Sequence, residues 1–245
     1  MVRHHRARRR NDPVTVPRGH YHASVTFLDA LGRHPYARFT LGMMAAPDGL
    51  VRGDTVIWWG DTAFGRIAHA CGPPVELSSL PSLEGVRWLN LPAAWPVPIP
   101  WLEHDRWDFR WTAAAPPAPR YELSTVDSPR EVERLLDAAH PDTLRPGHPL
   151  VRQWWGIRAG GALVACAADR SAGDVGAIGA VTVHPEHQRR GYGTAISAGL
   201  TRLLLNKYGL CCLGVMDGNT RAAEMYERLG YRDALPLRSV MADTG

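Results

Sequence analysis

Lysine is almost missing from this chain: Lys207 is the only one in 245 residues, so arginine carries nearly every cationic role. A phosphate loop of the Gly-Lys-Ser/Thr type is therefore excluded. The dinucleotide pattern Gly-x-Gly-x-x-Gly also fails, because Ile196 stands where the third glycine after Gly191 and Gly193 would fall. Cysteine is scarce as well. Cys71, Cys166, Cys211 and Cys212 show no metal-ligand spacing and read as small buried hydrophobes in a reducing compartment, so no metal is expected. No apolar run approaches the ~18–20 residues that cross a bilayer. The basic N-terminus is not followed by the apolar core of a signal peptide. The expectation is a soluble, cytoplasmic protein with no membrane partner.

What remains is ordinary globular material, 45% apolar and 21% charged, in a mass of 27.0 kDa. That length suits one large domain or two small ones and can bury roughly 70% of the unfolded surface without staples. The net charge of +4 is local. Residues 1–19 hold Arg3, Arg6, Arg8, Arg9, Arg10 and Arg18 against Asp12, which leaves 22 basic and 23 acidic residues in the rest. The folded body is thus no basic nucleic-acid surface as a whole; the tail, expected to be disordered, is where a nucleic acid would find clustered arginines.

Seven tryptophans fall in residues 20–113, which read as an N-terminal α+β domain: a helix over 21–31 and strands over 54–59, 65–71, 86–91 and 106–112. Asp48-Gly49-x-x-Arg52-Gly53 reads as a turn. Ala114-Ala115-Pro116-Pro117-Ala118-Pro119 is the expected linker. Beyond it come a strand at 121–126 and a helix opened by the capping box Ser128-Pro129-Arg130-Glu131. A hairpin over 152–158 and 162–168 turns at Gly160-Gly161. A strand at 175–183, a helix at 191–207, a strand at 211–216, a helix at 220–229 and a strand at 235–241 complete the order. A hairpin mixed with crossovers implies an α/β (α+β) fold with a mixed, mostly antiparallel sheet flanked by helices. Adjacent Trp154 and Trp155 should face opposite sides of that sheet, as should Cys211 and Cys212.

The most informative stretch is Val181-Thr182-Val183-His184-Pro185-Glu186-His187-Gln188-Arg189-Arg190-Gly191-Tyr192-Gly193-Thr194, a strand running through a short loop into a long helix. Glycines there let backbone approach a ligand, and the first-turn amides and helix dipole favour an anion such as pyrophosphate. Arg189 and Arg190 add charge.

Gln188-x-x-Gly191-x-Gly193, preceded by Val181-x-Val183-x-Pro185, resembles the acetyl-CoA signature of the GNAT N-acetyltransferase superfamily. Asn219-x-x-Ala222-x-x-x-Tyr226-x-x-Leu229-Gly230-Tyr231 resembles that superfamily's C-terminal motif. The resemblance covers about residues 120–242 and is nearest to the glycine N-acyltransferase-like branch, whose N-terminal half is a degenerate copy of the fold. It implies a catalytic GNAT domain over 120–245 preceded by such a copy over 20–113. It also implies a strand 181–183 splayed from strand 211–216, with pantetheine in the gap. Acetyl-CoA would be the co-substrate, with Val181, Thr182, Val183, Gln188, Arg189, Arg190, Gly191, Tyr192, Gly193, Thr194 and Asn219 binding it. Asn219 is equally suited to cap its helix. Tyr226 would be the acid that protonates the leaving thiolate, with a backbone N–H near Val183 polarising the thioester carbonyl.

The resemblance offers no general base. Glu186 and His184 sit in ordinary loop positions, and His140 and His148 are candidates for lining the acceptor site, leaving a water-mediated base as the default. The function expected is transfer of an acetyl group to a primary amine of a small molecule or amino-acid-like acceptor. The alternative is a silent CoA-binding sensor or scaffold. Nucleic acid is not expected as a partner, and a homodimer is compatible with the sequence.

Overall fold

A computed structural model describes residues 26–76, 83–98 and 101–242. The Arg-rich tail at 1–19 and the first part of the helix expected over 21–31 lie outside the described residues. The rest of that helix is α1 (Phe27–Leu31), opened by a reciprocal Thr26/Asp29 capping box. A second short helix, α2 (Pro35–Leu41), was not foreseen; Pro35 opens it and the His34 ring accepts the Tyr36 N–H.

Strands β1 (Ala45–Arg52), β2 (Thr55–Thr62), β3 (Gly65–Cys71), β4 (Val86–Pro92) and β5 (Trp101–Thr112) follow. After the linker come β6 (Ser124–Thr125), α3 (Pro129–Ala139), β7 (Gln153–Ala159), β8 (Ala162–Asp169) and β9 (Gly176–Val183). Then α4 (Tyr192–Tyr208), β10 (Cys211–Met216), α5 (Thr220–Arg228) and β11 (Asp233–Ala242) close the order. All eleven strands form one sheet, ordered β1-β2-β3-β4-β11-β5-β10-β9-β8-β7-β6. Only β3/β4 and β9/β10 run parallel; the other pairs are antiparallel. The fold is therefore the mixed, mostly antiparallel α/β sheet flanked by helices that the element order implied.

The sheet passes through the linker without a break. β5, from the first segment, lies between β10 and β11 of the second, and β11 also pairs with β4. Each segment thus lends its last strand to the other. The linker itself is strapped to α4 by Arg202, whose guanidinium donates to the Pro116 carbonyl at 2.7 Å.

Among the described residues, four apolar clusters fill the two faces. α4 and α5 cover one face of the second half, where Ile196, Leu200, Leu213 and Tyr231 are buried. α3 covers the other with Val132 and Leu136. α2 lies over Trp58, Phe109 and Cys212, so one cluster spans both segments. The remaining cluster, around Leu89, Trp95 and Val240, sits under the first half. Trp154 and Trp155 do face opposite clusters, as do Cys211 and Cys212. No helix among the described residues is long and apolar enough to cross a membrane.

Three local expectations are corrected. Residues 48–52 are the end of edge strand β1, and the turn is confined to the residues after it. An edge tolerates Pro47, which has no N–H to give a neighbour. The capping box at Ser128 does not form: Ser128 makes no side-chain cap bond, and the Glu131 carboxylate instead takes both Nη groups of Arg158 on β7, each at 2.8 Å. A bidentate charged pair outcompetes a single neutral amide, and it holds the Glu131 carboxyl below its ordinary range. The strand expected over 121–126 shrinks to Ser124–Thr125. Tyr121 is drawn away to stack on Tyr192 (centroids 4.5 Å apart), and Leu123 packs where Gly199 of α4 has no side chain.

Candidate active site

β9 and β10 pair at only three positions, Gly176/Cys211, Ala177/Cys212 and Ile178/Leu213, and then part. Past Ile178 the β10-facing edge of β9 has no strand partner, so its peptide groups are left to the gap. On its other edge β9 carries a bulge: Ala180 and Val181 lie opposite the single residue Ala167 of β8. Ala180 has φ 50°, a left-handed conformation that costs an alanine about 1–2 kcal/mol. A bulge bends its strand, and this one falls just past the last β9/β10 pair.

The gap opens into a cavity of about 580 Å³, within the usual range for a small-molecule site. From β9 it is lined by Val181 and Val183, from the following turn by Gln188 and Arg189, and from the start of α4 by Gly191, Tyr192, Gly193 and Thr194. Asn219 and Tyr226 line it from the other side. Two of the expected binding residues stand apart: Thr182 is buried with its hydroxyl on the Ala180 carbonyl, and Arg190 is exposed with its carbonyl receiving the Tyr121 hydroxyl.

The turn is shaped to present amides. A 3-10 turn, Pro185–His187, is capped by the His184 ring, which accepts the Glu186 N–H; His184 is thereby a structural residue. Gln188 reaches back toward the Val183 carbonyl at 3.4 Å. Arg189 (φ 60°) and Gly191 (φ 86°) are left-handed, and only glycine adopts this freely. The Ala195 N–H is the first in α4 to find an acceptor, the Gly191 carbonyl at 2.9 Å, so the amides before it remain for a ligand. At Gly193 an added Cβ would meet only Val183 and Met225, at 3.6 and 3.8 Å, and would project into free space.

Asn219 caps α5 by accepting the Ala222 N–H at 3.2 Å while also lining the cavity, so its two readings coexist. Tyr226 stands edge-on to Tyr231, with centroids 5.8 Å apart. Burial pushes its phenol up to about 12, with the nearby Ser197 hydroxyl acting weakly the other way. It is a firmly protonated group at neutral pH.

The lining is cationic. Arg221 and Arg228 join Arg189, and among the described lining residues there is no carboxylate. Neither Arg221 nor Arg228 was singled out from the sequence. Arg221, Met225 and Arg228 recur at spacings of four and three on α5, a helical stripe that was there to be found. His140, at the end of α3, does line the cavity; His148 does not, and stacks instead on Phe64 from the β2–β3 hairpin, centroids 4.9 Å apart. No three metal-ligating side chains gather among the described residues.

Comparison with known proteins agrees with this geometry. The family model described as "FR47-like protein" matches residues 154–239, which span β7 through most of β11 and nearly all the cavity. No curated protein matches. Among solved structures, a protein from Novosphingobium aromaticivorans assigned to the GNAT family of acetyltransferases aligns with a TM-score of 0.57 and 21% identity, over 86% of this chain and 100% of its own. A GCN5-related N-acetyltransferase from Kribbella flavida aligns at 0.56 and 20%, over 88% of this chain and 96% of its own. A GCN5-related N-acetyltransferase-like protein from Streptococcus suis aligns at 0.50 and 15%, over 86% and 95%. The fold of the C-terminal region is that of the GNAT proteins.

Proposed function

We propose that the gap between β9 and β10 takes acetyl-CoA and that the chain transfers its acyl group directly to a primary amine. The acceptor would be a small molecule or amino-acid-like. One observation carries this reading: an unzipped parallel strand pair leads into a glycine-opened helix N-terminus, with a buried phenol on the facing helix. The open edge of β9 can pair with pantetheine amides. The amides before Ala195, with Arg189 beside them, suit a pyrophosphate. Arg221 and Arg228 add cations on the α5 side.

The transfer joins the amine nitrogen to the acyl carbon and breaks that carbon's bond to sulfur. Backbone N–H groups at the β9 bulge stabilise the charge that develops on the carbonyl oxygen. Tyr226 gives its proton to the departing sulfur and regains one from solvent. With no carboxylate lining the cavity, the ammonium proton leaves through water. The free, deeply buried cysteines are not placed to act as nucleophiles: burial pushes Cys166 and Cys211 up to about 12. Four free cysteines also suit a reducing cytoplasm.

Residues 20–113 are proposed to be a degenerate copy of the catalytic domain at 120–245, joined by the linker 114–119. Support comes from topology. In each half an antiparallel series ends on a strand that pairs in parallel with the next, β3 with β4 and β9 with β10.

Calorimetric titration of acetyl-CoA into wild type and Tyr226→Phe, followed by thiol release over a panel of amines, tests the reading. The expected result is similar binding by both proteins and release at least tenfold slower in the variant. The missing carboxylate base favours one second reading, a silent CoA-binding sensor. Binding without release on any amine would select it, and no binding at all would overturn both.

A further inference from the structure

The residue that follows β8, Arg170, is a cation with no ion-pair partner among the described residues. Arg170 makes no ion pair and no side-chain hydrogen bond among the described residues, and its Nε is sealed from solvent without a partner. Its stem crosses β9 at one point: the Cδ lies 2.4 Å from where a Cβ on Gly179 would stand, and Nη1 lies 3.4 Å from it. A Cβ at Gly179 would force the arginine stem to move. Gly179 is also the first residue of β9 beyond the last β10 pair, and it lines the cavity. The guanidinium is therefore held against Gly179, beside the cavity lining where the two strands begin to part.

Among the described residues no carboxylate pairs with it. The groups that feel it are His148 and Cys212, and burial foremost, with the Arg170 charge second, lowers the His148 imidazole. Phe64 stacks on that ring from the β2–β3 hairpin, shielding His148 on one side. Arg170 is half-buried with its Nε sealed and unpaired, and a bidentate carboxylate is the best partner for such a guanidinium.

We propose that Arg170 receives a carboxylate of the acceptor, so that the chain acts on amines carrying an acid group near the nitrogen. The inference rests on the acyltransferase reading for its context, and Arg170 acts here as a specificity-determining residue. With acetyl-CoA in the splay, an acceptor anchored at Arg170 by its carboxylate would present a neighbouring amine to the cavity at Gly179.

The test is calorimetric titration of N-acetylalanine and N-acetylphenylalanine, each against its neutral primary amide, into the full chain with and without CoA. Wild type is expected to bind each acid at least tenfold more tightly than its amide. Arg170→Met should close that gap to within twofold while leaving the amide affinity unchanged, and Arg170→Lys should keep part of it. Equal affinity of acid and amide in wild type would overturn the proposal, as would failure of both acids to bind or a gap that survives in Arg170→Met. The wild-type comparison decides even if a variant fails to fold. These probes contain no thioester, so the two readings fail separately. Acid selectivity without acetyl-CoA binding refutes the transferase and spares the anion site; thiol release without acid selectivity does the reverse.

Discussion

Two glycines of one turn should respond to alanine with opposite signs of stability. Gly191 caps α4 at φ 86° with nothing within 4 Å of an added Cβ, so its constraint is backbone alone. A left-handed alanine costs about 1–2 kcal/mol, and the stiffer unfolded chain returns about 0.4–1 kcal/mol of that. The net loss, centred on about 0.8 kcal/mol and at most about 1.6 kcal/mol, lowers Tm by up to about 6 °C in a chain of this size. Gly193 is helical without positive φ, and its Cβ would touch Val183 and Met225 only at ordinary contact distances. Alanine there should stabilise by about 0.5 kcal/mol, since glycine weakens a helix by roughly that amount or more. The same methyl projects into the cavity where pyrophosphate would lie, and should weaken acetyl-CoA binding by about tenfold, or 1.4 kcal/mol. Differential scanning fluorimetry and calorimetry on the pair read both effects. Gly193→Ala that melts higher yet binds acetyl-CoA normally would refute the placement of the ligand against this turn. If it melts lower, the packing around Gly193 has been misjudged.

Two further outcomes follow from buried groups. His69, buried with Tyr36 Oη at 2.6 Å from its Nδ1, is lowered by burial to about 3. Its contribution is fully present above the unfolded value near 6.5 and is lost as pH falls from there toward 3. At about 1.4 kcal/mol per unit this amounts to several kcal/mol. Urea unfolding at pH 7, 5 and 4 should show wild type losing more stability than His69→Gln, and parallel losses would sink the assignment. Gly199→Ala should destabilise by about 1–3 kcal/mol, because its Cβ would stand 2.5 Å from Leu123 Cδ1. Leu123→Ala in the same chain should recover part of that loss, and additive losses would mean the two residues do not meet.

Periodicity and punctuation made the elements of the second half readable. The apolar stripe of α4, the Gly160-Gly161 turn and the Asn219 cap are local signals, and each names its own neighbourhood. Partners are another matter. Nothing in 235–241 tells which strands it will join, and pairing with both β4 and β5 depends on residues far away in the chain. Glu131 shows the same limit: its spacing from Ser128 suits a capping box, but the competing Arg158 arrives from another strand. In the site, the signature residues around Gly191 were legible because glycine and strand–turn–helix order have a local meaning. Arg170 was not, because an arginine after a strand is unremarkable until a glycine on the neighbouring strand places it under cover.

The lending of last strands between halves also bears on how the chain reaches its native state. While residues 1–200 emerge from a ribosome, β4 can already pair with β3, but β10 and β11, between which β5 lies, have not yet been made. The nascent first half therefore leaves one edge of β4 and both edges of the β5 segment unpaired, each able to template a wrong partner. Closure waits for Asp233–Ala242 to insert along β4 and β5 at once, pairing Leu237 with Pro92 and Trp107. Contacts this distant in sequence must meet the entropy of closing a long loop before they return anything. Assembly of the sheet is thus a late, concerted and comparatively slow event, and the interval before it is when the chain is most exposed to aggregation.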